Sequence, residues 1–149
     1  MKILIAVLAV IALMILSMVF KNVRTPSSIG LENGKFAPMP KSPNAVSSQT
    51  DIEEKQVEPF PFKGSLEETK EAVKKALSDY GSVKIREEKP NYIHAVHTTG
   101  TMHYHDDLEF YFDEEKKVVH FRSASRVGYS DMGLNRERYN SLIELYKYK

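Results

Sequence analysis

Hydrophobic and polar positions follow three regimes along the chain. From Ile3 to Phe20 every residue except Ser17 is apolar. As a helix this run of 18 residues would span about 27 Å at ~1.5 Å per residue, close to the thickness of a hydrocarbon core. A cleaved signal peptide usually has a shorter apolar region and ends in a small-x-small site. Here the exit reads Ser17-Met18-Val19-Phe20-Lys21-Asn22, without such a pair. The pattern therefore predicts an uncleaved anchor over residues 1–21, with the membrane contacted through residues 3–20. Between residues 22 and 64 apolar periodicity disappears. Pro26, Pro38, Pro40, Pro43, Pro59 and Pro61 lie there, with short polar side chains between them, so a proline-rich tether and lead-in segment is expected.

Regular patterning begins at Ser65. Ser65-Leu66-Glu67-Glu68 has the spacing of a capping box, in which serine and glutamate satisfy each other's orphan backbone donors. Leu66, Thr69, Val73, Ala76, Leu77 and Tyr80 then recur at helical spacing, and Gly81 supplies a stop. Short runs of period two follow. Val83 and Ile85 alternate with charges. A turn at Lys89-Pro90-Asn91 leads into β-rich Tyr92–Thr99. Leu108, Phe110 and Phe112 alternate with polar residues, as do Val119, Phe121 and Ser123 beyond a charged connection at 114–117. Asn135 is placed to cap a last helix with Tyr139, Leu142, Ile143 and Tyr146 on one side. The fold expected over residues 65–149 is α+β, a four-stranded antiparallel sheet with two helices packed on one face.

Charge and composition narrow the function classes. Lys2 is the only base before residue 21, so the remaining chain carries 20 bases against 20 acids. A neutral domain argues against nucleic acid as a partner. The absence of cysteine excludes disulfides, thiolate metal sites and thiol catalysis. Lys2 lies before the apolar run and Lys21 and Arg24 lie after it, so the positive-inside rule leaves orientation open.

Three motifs then stand out in order. They are Ala37-Pro38-Met39-Pro40-Lys41-Ser42-Pro43-Asn44-Ala45-Val46-Ser47-Ser48-Gln49, Asp106-Asp107-Leu108-Glu109-Phe110, and the run from Arg122 to Arg136. Together they resemble the domain of unknown function 1499 family over roughly residues 30–146. The resemblance implies a small, often exported or membrane-associated domain and brings no established activity. With the apolar run, the expected location is the cell membrane, single-pass, with the C-terminal domain on the extracytoplasmic side. Relatives commonly carry cysteines where this chain has Met39 and Ala45. Their joint absence implies a structural pair, and this chain must hold the lead-in segment by packing and hydrogen bonds instead.

The candidate site is the connection from Phe121 to Tyr139, which contains Arg122, Arg126, Arg136 and Arg138 with Ser123, Ser125, Ser130, Asp131 and Asn135. Guanidinium forks suit carboxylates, and Asp106, Asp107 and Asp131 are the natural partners. Adjacent Asp106 and Asp107 would point to opposite faces of a strand, so they cannot form one catalytic dyad. Two uses of the cluster are open: a buried network that fixes the connection, or a seat for a carboxylate or phosphate ligand. Ser42, Asn44, Ser47, Ser48 and Gln49 could dock the lead-in segment on the domain. His103, His105 and Asp107 would share a strand face, but the Thr99-Gly100-Thr101 turn signal breaks that register, so no metal is assigned. Nor does any Gly-x-Ser-x-Gly elbow, phosphate loop or dinucleotide fingerprint indicate a cofactor. The expected function is a membrane-anchored, non-catalytic envelope module that binds a protein partner or small anionic ligand. The rivals are a hydrolase using Asp107 with a serine or arginine, and a structural assembly subunit.

Overall fold

A helix that is apolar all round can bury itself only in protein or in lipid. In the computed structural model the N-terminal run forms α1 (Lys2–Val23), and no residue of it is buried. It is long and apolar enough to cross a membrane. The structure describes residues 1–148. Lys149, counted above in the α+β domain, lies outside the described residues.

The lead-in segment carries more structure than its composition predicts. β1 (Leu31–Glu32) and β2 (Lys35–Phe36) form a hairpin. Its two-residue loop holds Asn33 at φ 52 and Gly34 at φ 73, the left-handed pair that matches strand twist. β3 (Ala45–Ser47) and β4 (Phe60–Pro61) follow, separated by a 3-10 turn at Glu53–Lys55. Then come α2 (Leu66–Tyr80), β5 (Val83–Lys89), β6 (Tyr92–Thr98), β7 (His105–Asp113), β8 (Val118–Ser125) and α3 (Leu134–Lys147).

The class is α+β, as expected, but the main sheet has six strands rather than four. β5 to β8 form an antiparallel meander, and both β3 and β4 pair antiparallel with β8. The two added strands were hidden for a physical reason. Ala45, Val46 and Ser47 are all buried, so their run shows no alternation, and Phe60–Pro61 is too short to show any. Their pairing covers what would otherwise be an exposed sheet edge along β8.

The capping box forms as predicted: Glu68 N donates to Ser65 Oγ at 3.1 Å and Ser65 N donates to Glu68 Oε2 at 2.8 Å. The buried stripe of α2 is Thr69, Ala72, Val73, Ala76 and Leu77. With Leu142 and Tyr146 of α3 it covers Ile93, Ala95, Leu108, Phe110 and Phe121 on one sheet face. Phe60 sits at the hub. Its ring lies 5.7 Å from Phe121 and 5.2 Å from Tyr146, centroid to centroid. Burying one such side chain contributes roughly 1.5–3 kcal/mol, so the presumed tether supplies a principal core residue. At α3 the cap differs from expectation. Gly133 is the N-cap, and Asp131 accepts from Gly133 N at 3.0 Å and Asn135 N at 2.8 Å. Asn135 itself is buried inside the first turn.

Candidate functional site

Strand alternation sends Asp106 and Asp107 to opposite faces, as their adjacency requires. On the helix face, Asp106 accepts from Arg138 Nη2 at 2.5 Å. Arg138 Nη1 donates to Asn135 Oδ1 at 2.7 Å and to Ser123 Oγ at 3.2 Å. A guanidinium only donates, so His97 Nδ1, 3.1 Å from Arg138 Nη2, is the acceptor there. Ser123 Oγ donates to Asn135 Oδ1 at 2.5 Å. The Asn135 amide donates to Asn44 O, Ser125 Oγ and Asp131 Oδ2. Asp106, Ser123, Asn135 and Arg138 are all buried. Burial alone would raise the Asp106 pKa, but His97, Arg138 and Ser125 outweigh it and hold the carboxyl below its ordinary value.

The opposite face is polar and lies under the lead-in segment and the end of α1. Arg126 grips Asp107 with both arms of its fork, Nε to Oδ2 at 2.8 Å and Nη2 to Oδ1 at 2.7 Å. His94 Nε2 donates to the same Oδ1 at 2.8 Å. Burial opposes ionisation of Asp107, yet Arg126 and His94 hold its pKa below the ordinary value. The remaining arm, Arg126 Nη1, donates to Asn22 O at 3.1 Å and Val23 O at 3.3 Å. Asn22 also bonds to β7 and the turn before it, accepting from His105 N at 2.8 Å and donating to His103 O at 2.9 Å. Arg126 thus clamps the last carbonyls of α1, where a cation is favoured, to a buried carboxylate. Beside this clamp, cross-strand partners Glu109 and Arg122 form a 2.6 Å ion pair. Tyr92 Oη and Gly30 N donate to the other Glu109 oxygen at 2.7 and 2.8 Å. Burial and the neighbouring Glu109 charge push the Tyr92 pKa well above its ordinary value.

A cavity of about 770 Å³ opens between this polar face and α1. Asp107, Arg122 and Arg126 line one side, and Val10, Leu13, Met14 and Met18 line the other. Lys21 lies at the cavity and makes no ion pair among the described residues. Arg122 Nε is buried without a hydrogen-bond partner among the described residues. Arg138 Nε is also unpartnered, but it lies under α3 and does not line this cavity.

The predicted cluster therefore divides into several roles. Arg122 and Arg126 face the cavity, whereas Ser123, Asp106 and Asn135 fasten α3 to the sheet. Ser125 contributes to the α3 fastening and also lines the cavity. Asp131 caps α3 and bonds Asn135 rather than an arginine. Ser130 is exposed and, among the described residues, accepts only from Met132 N in a local turn. Arg136 leaves the network altogether and donates to Glu54 O and Gln56 O at 2.8 and 3.1 Å.

Among the lead-in residues, the side chains of Asn44 and Ser48 reach the domain, whereas those of Ser42, Ser47 and Gln49 bond within the segment. Ser42 Oγ donates to Asn44 Oδ1, and Asn44 Nδ2 donates to Gly128 O, both at 2.8 Å. Ser47 accepts from Gln49 N. Ser48 Oγ accepts from Phe121 N at 2.9 Å, and Gln49 bridges Phe36 N and Gly34 O. The segment between Met39 and Ala45 is held by buried Lys55, whose ammonium donates to Pro40 O and Ser42 O.

Sequence reasoning missed Glu109, His94, Tyr92, Lys55 and Asn22. A signal existed for three of them. Glu109 follows Asp107 at the two-residue spacing of one strand face, and Tyr92 and His94 share such a spacing one strand away. Arg136 and Arg138 were both expected among the donors; only Arg138 joins the Asp106 network, and Asn135, Arg138 and Leu142 recur at helical spacing. Among the described residues no group of three or more His, Asp or Glu side chains converges on a point that would hold a metal.

A family model described as protein of unknown function (DUF1499) matches residues 35–145. No curated protein matches the chain.

Proposed function

The chain belongs to the DUF1499 family, and from the geometry above we propose that it is a membrane-anchored, non-enzymatic envelope module that receives an anionic ligand in the cavity beside α1. The exposed apolar surface of α1 supports anchoring. The domain is taken to be extracytoplasmic. One observation carries the ligand reading: Arg122 lines the cavity with a buried Nε that has no partner, and Lys21 stands nearby without an anion. An unmet buried donor costs about 1–3 kcal/mol, and an anionic acceptor would remove that cost.

The same geometry argues against the hydrolase. A general base must be free to take a proton at the operating pH. Both Asp107 oxygens are engaged by Arg126, one is also engaged by His94, and the carboxyl pKa is lowered. Ser125 receives the Asn135 amide and bonds Asp106, but that carboxylate is tied up by Arg138 and its pKa is lowered, so it is a poor base for activating the serine.

The test is native mass spectrometry of the full chain extracted gently from membranes, compared with Lys21→Gln. The wild type is expected to carry a noncovalent anionic adduct that the variant retains about tenfold less. No adduct, or an adduct equally retained by the variant, would remove the binding reading. Ester or phosphoester turnover abolished by Asp107→Asn would restore the enzyme.

A further inference from the structure

Resting on that ligand seat, we infer that its occupant is an acidic phospholipid of the leaflet around α1. Its phosphodiester sits at Lys21 and Arg122, and one acyl chain runs along Met18, Met14 and Val10.

The first argument is the contrast between the cavity walls. A small water-soluble anion would use Lys21 and Arg122 but leave the apolar wall of α1 unused. A neutral apolar molecule would use that wall but leave the Arg122 Nε unmet. Only an amphiphile with a negative head satisfies both. The second argument is length. From Lys21 to Val10 the helix descends about 16 Å at ~1.5 Å per residue. Half of a ~30 Å hydrocarbon core is about 15 Å. The part of α1 that lines the cavity therefore matches the acyl depth of one leaflet, with Lys21 at the headgroup level.

Charge selects the head. Arg122, Arg126 and Lys21 bring three positive charges to the cavity, against two from Asp107 and Glu109. One positive charge in excess suits a monoanionic phosphodiester and disfavours a choline cation placed beside it. The opening is also held in place. The Asn22 bonds to His103 and His105 and the Arg126 bonds to Asn22 and Val23 fix the end of α1 against β7 and β8, so the seat is part of the fold. Val127 and Gly128 line the cavity, and Tyr129 and Met132, just beyond them in the chain, are 77% and 92% exposed. An aromatic and a methionine there suit the membrane–water interface.

The experiment uses the full chain, delipidated in detergent and titrated separately with phosphatidylglycerol, phosphatidylcholine and water-soluble glycerophosphoglycerol, with bound mass read by native mass spectrometry. Phosphatidylglycerol is expected to be retained about tenfold better than phosphatidylcholine, and the soluble head not at all. Lys21→Gln should remove the preference between the two lipids. Met14→Trp should fill the apolar end and reduce retention while leaving the melting temperature in place. Equal retention of both lipids by the wild type would overturn the inference, as would phosphatidylglycerol binding indifferent to both variants. If glycerophosphoglycerol binds as well as the lipid, the lipid assignment fails while the anionic-ligand reading stands. If no probe binds, both fail.

Discussion

Beneath α3, Asp106 meets Arg138 at 2.5 Å inside a web of buried side chains. One residue along the chain, on the other side of the sheet, Asp107 meets Arg126 at 2.7 Å beside an open cavity. The pairs are chemically alike, but their remaining partners differ. Arg138 spends its other donors on Asn135, Ser123 and His97, all within the folded domain. Arg126 spends its third arm on the terminal carbonyls of α1. The first pair holds a helix to the sheet, and the second holds the anchor to the sheet. Removing one partner of a sealed ion pair strands a charge and costs about 3–5 kcal/mol. Next to a cavity water can reach the orphaned carboxylate, and the loss should fall nearer that of a charged hydrogen bond, about 1.5–3 kcal/mol. Denaturant unfolding of the full chain in detergent should therefore rank Arg138→Ala well below Arg126→Ala in stability. Equal losses would break the distinction between sealed and open faces.

Acid sharpens the same comparison with a smaller effect. Both aspartates have folded pKa values below the ordinary aspartate value. A carboxyl whose pKa falls on folding stabilises the fold fully at pH values above its unfolded pKa. That contribution is lost as pH falls through the unfolded value toward the folded one. Each carboxyl can therefore add at most about 1.4 kcal/mol per pH unit to an acid limb that begins near pH 4. Asp106→Asn and Asp107→Asn should each flatten that limb between about pH 5 and pH 3, read from unfolding midpoints. A variant that keeps the wild-type slope would show that its carboxylate does not feed the limb.

The two faces were also unequally legible. The helix face could be read because burial on one side leaves a period: the α2 stripe, the alternation in β7 and β8, and the capping box all survive in the order of residues. β3 and β4 could not be read this way, because a strand of two or three residues has no room to alternate and Ala45 to Ser47 is buried throughout. Phe60 was lost with them, although it is the aromatic hub of the core. The site was legible as residue types but not as pairings. That an arginine would meet Asp106 follows from burial; that it is Arg138 and not Arg136 depends on which way α3 is rotated. The clamp between Arg126 and Asn22 joins positions 104 residues apart, and no local pattern records such a contact.

The hairpin of β1 and β2 is where the comparison can be probed most gently. Asn33-Gly34 is a strong hairpin signal, yet Leu31-Glu32 and Lys35-Phe36 are too short to flank it with alternation. The hairpin lies over the polar face: Gly34 is against Tyr111, Gly34 O accepts from Gln49 Nε2, and Gly30 N donates to Glu109. Gly34 adopts φ +73, and an added Cβ would stand 3.2 Å from Tyr111 Oη. Gly34→Ala should therefore cost about 1 kcal/mol through backbone strain. If the lead-in layer is separable from the sheet beneath it, amide exchange should accelerate over residues 30–36 while the amides of β7 and β8 keep their protection. Acceleration that spreads into β7 would mean that the covering layer and the sheet open as one cooperative unit. The hairpin would then belong to the core of the fold, and the polar face would be as sealed as the one beneath α3.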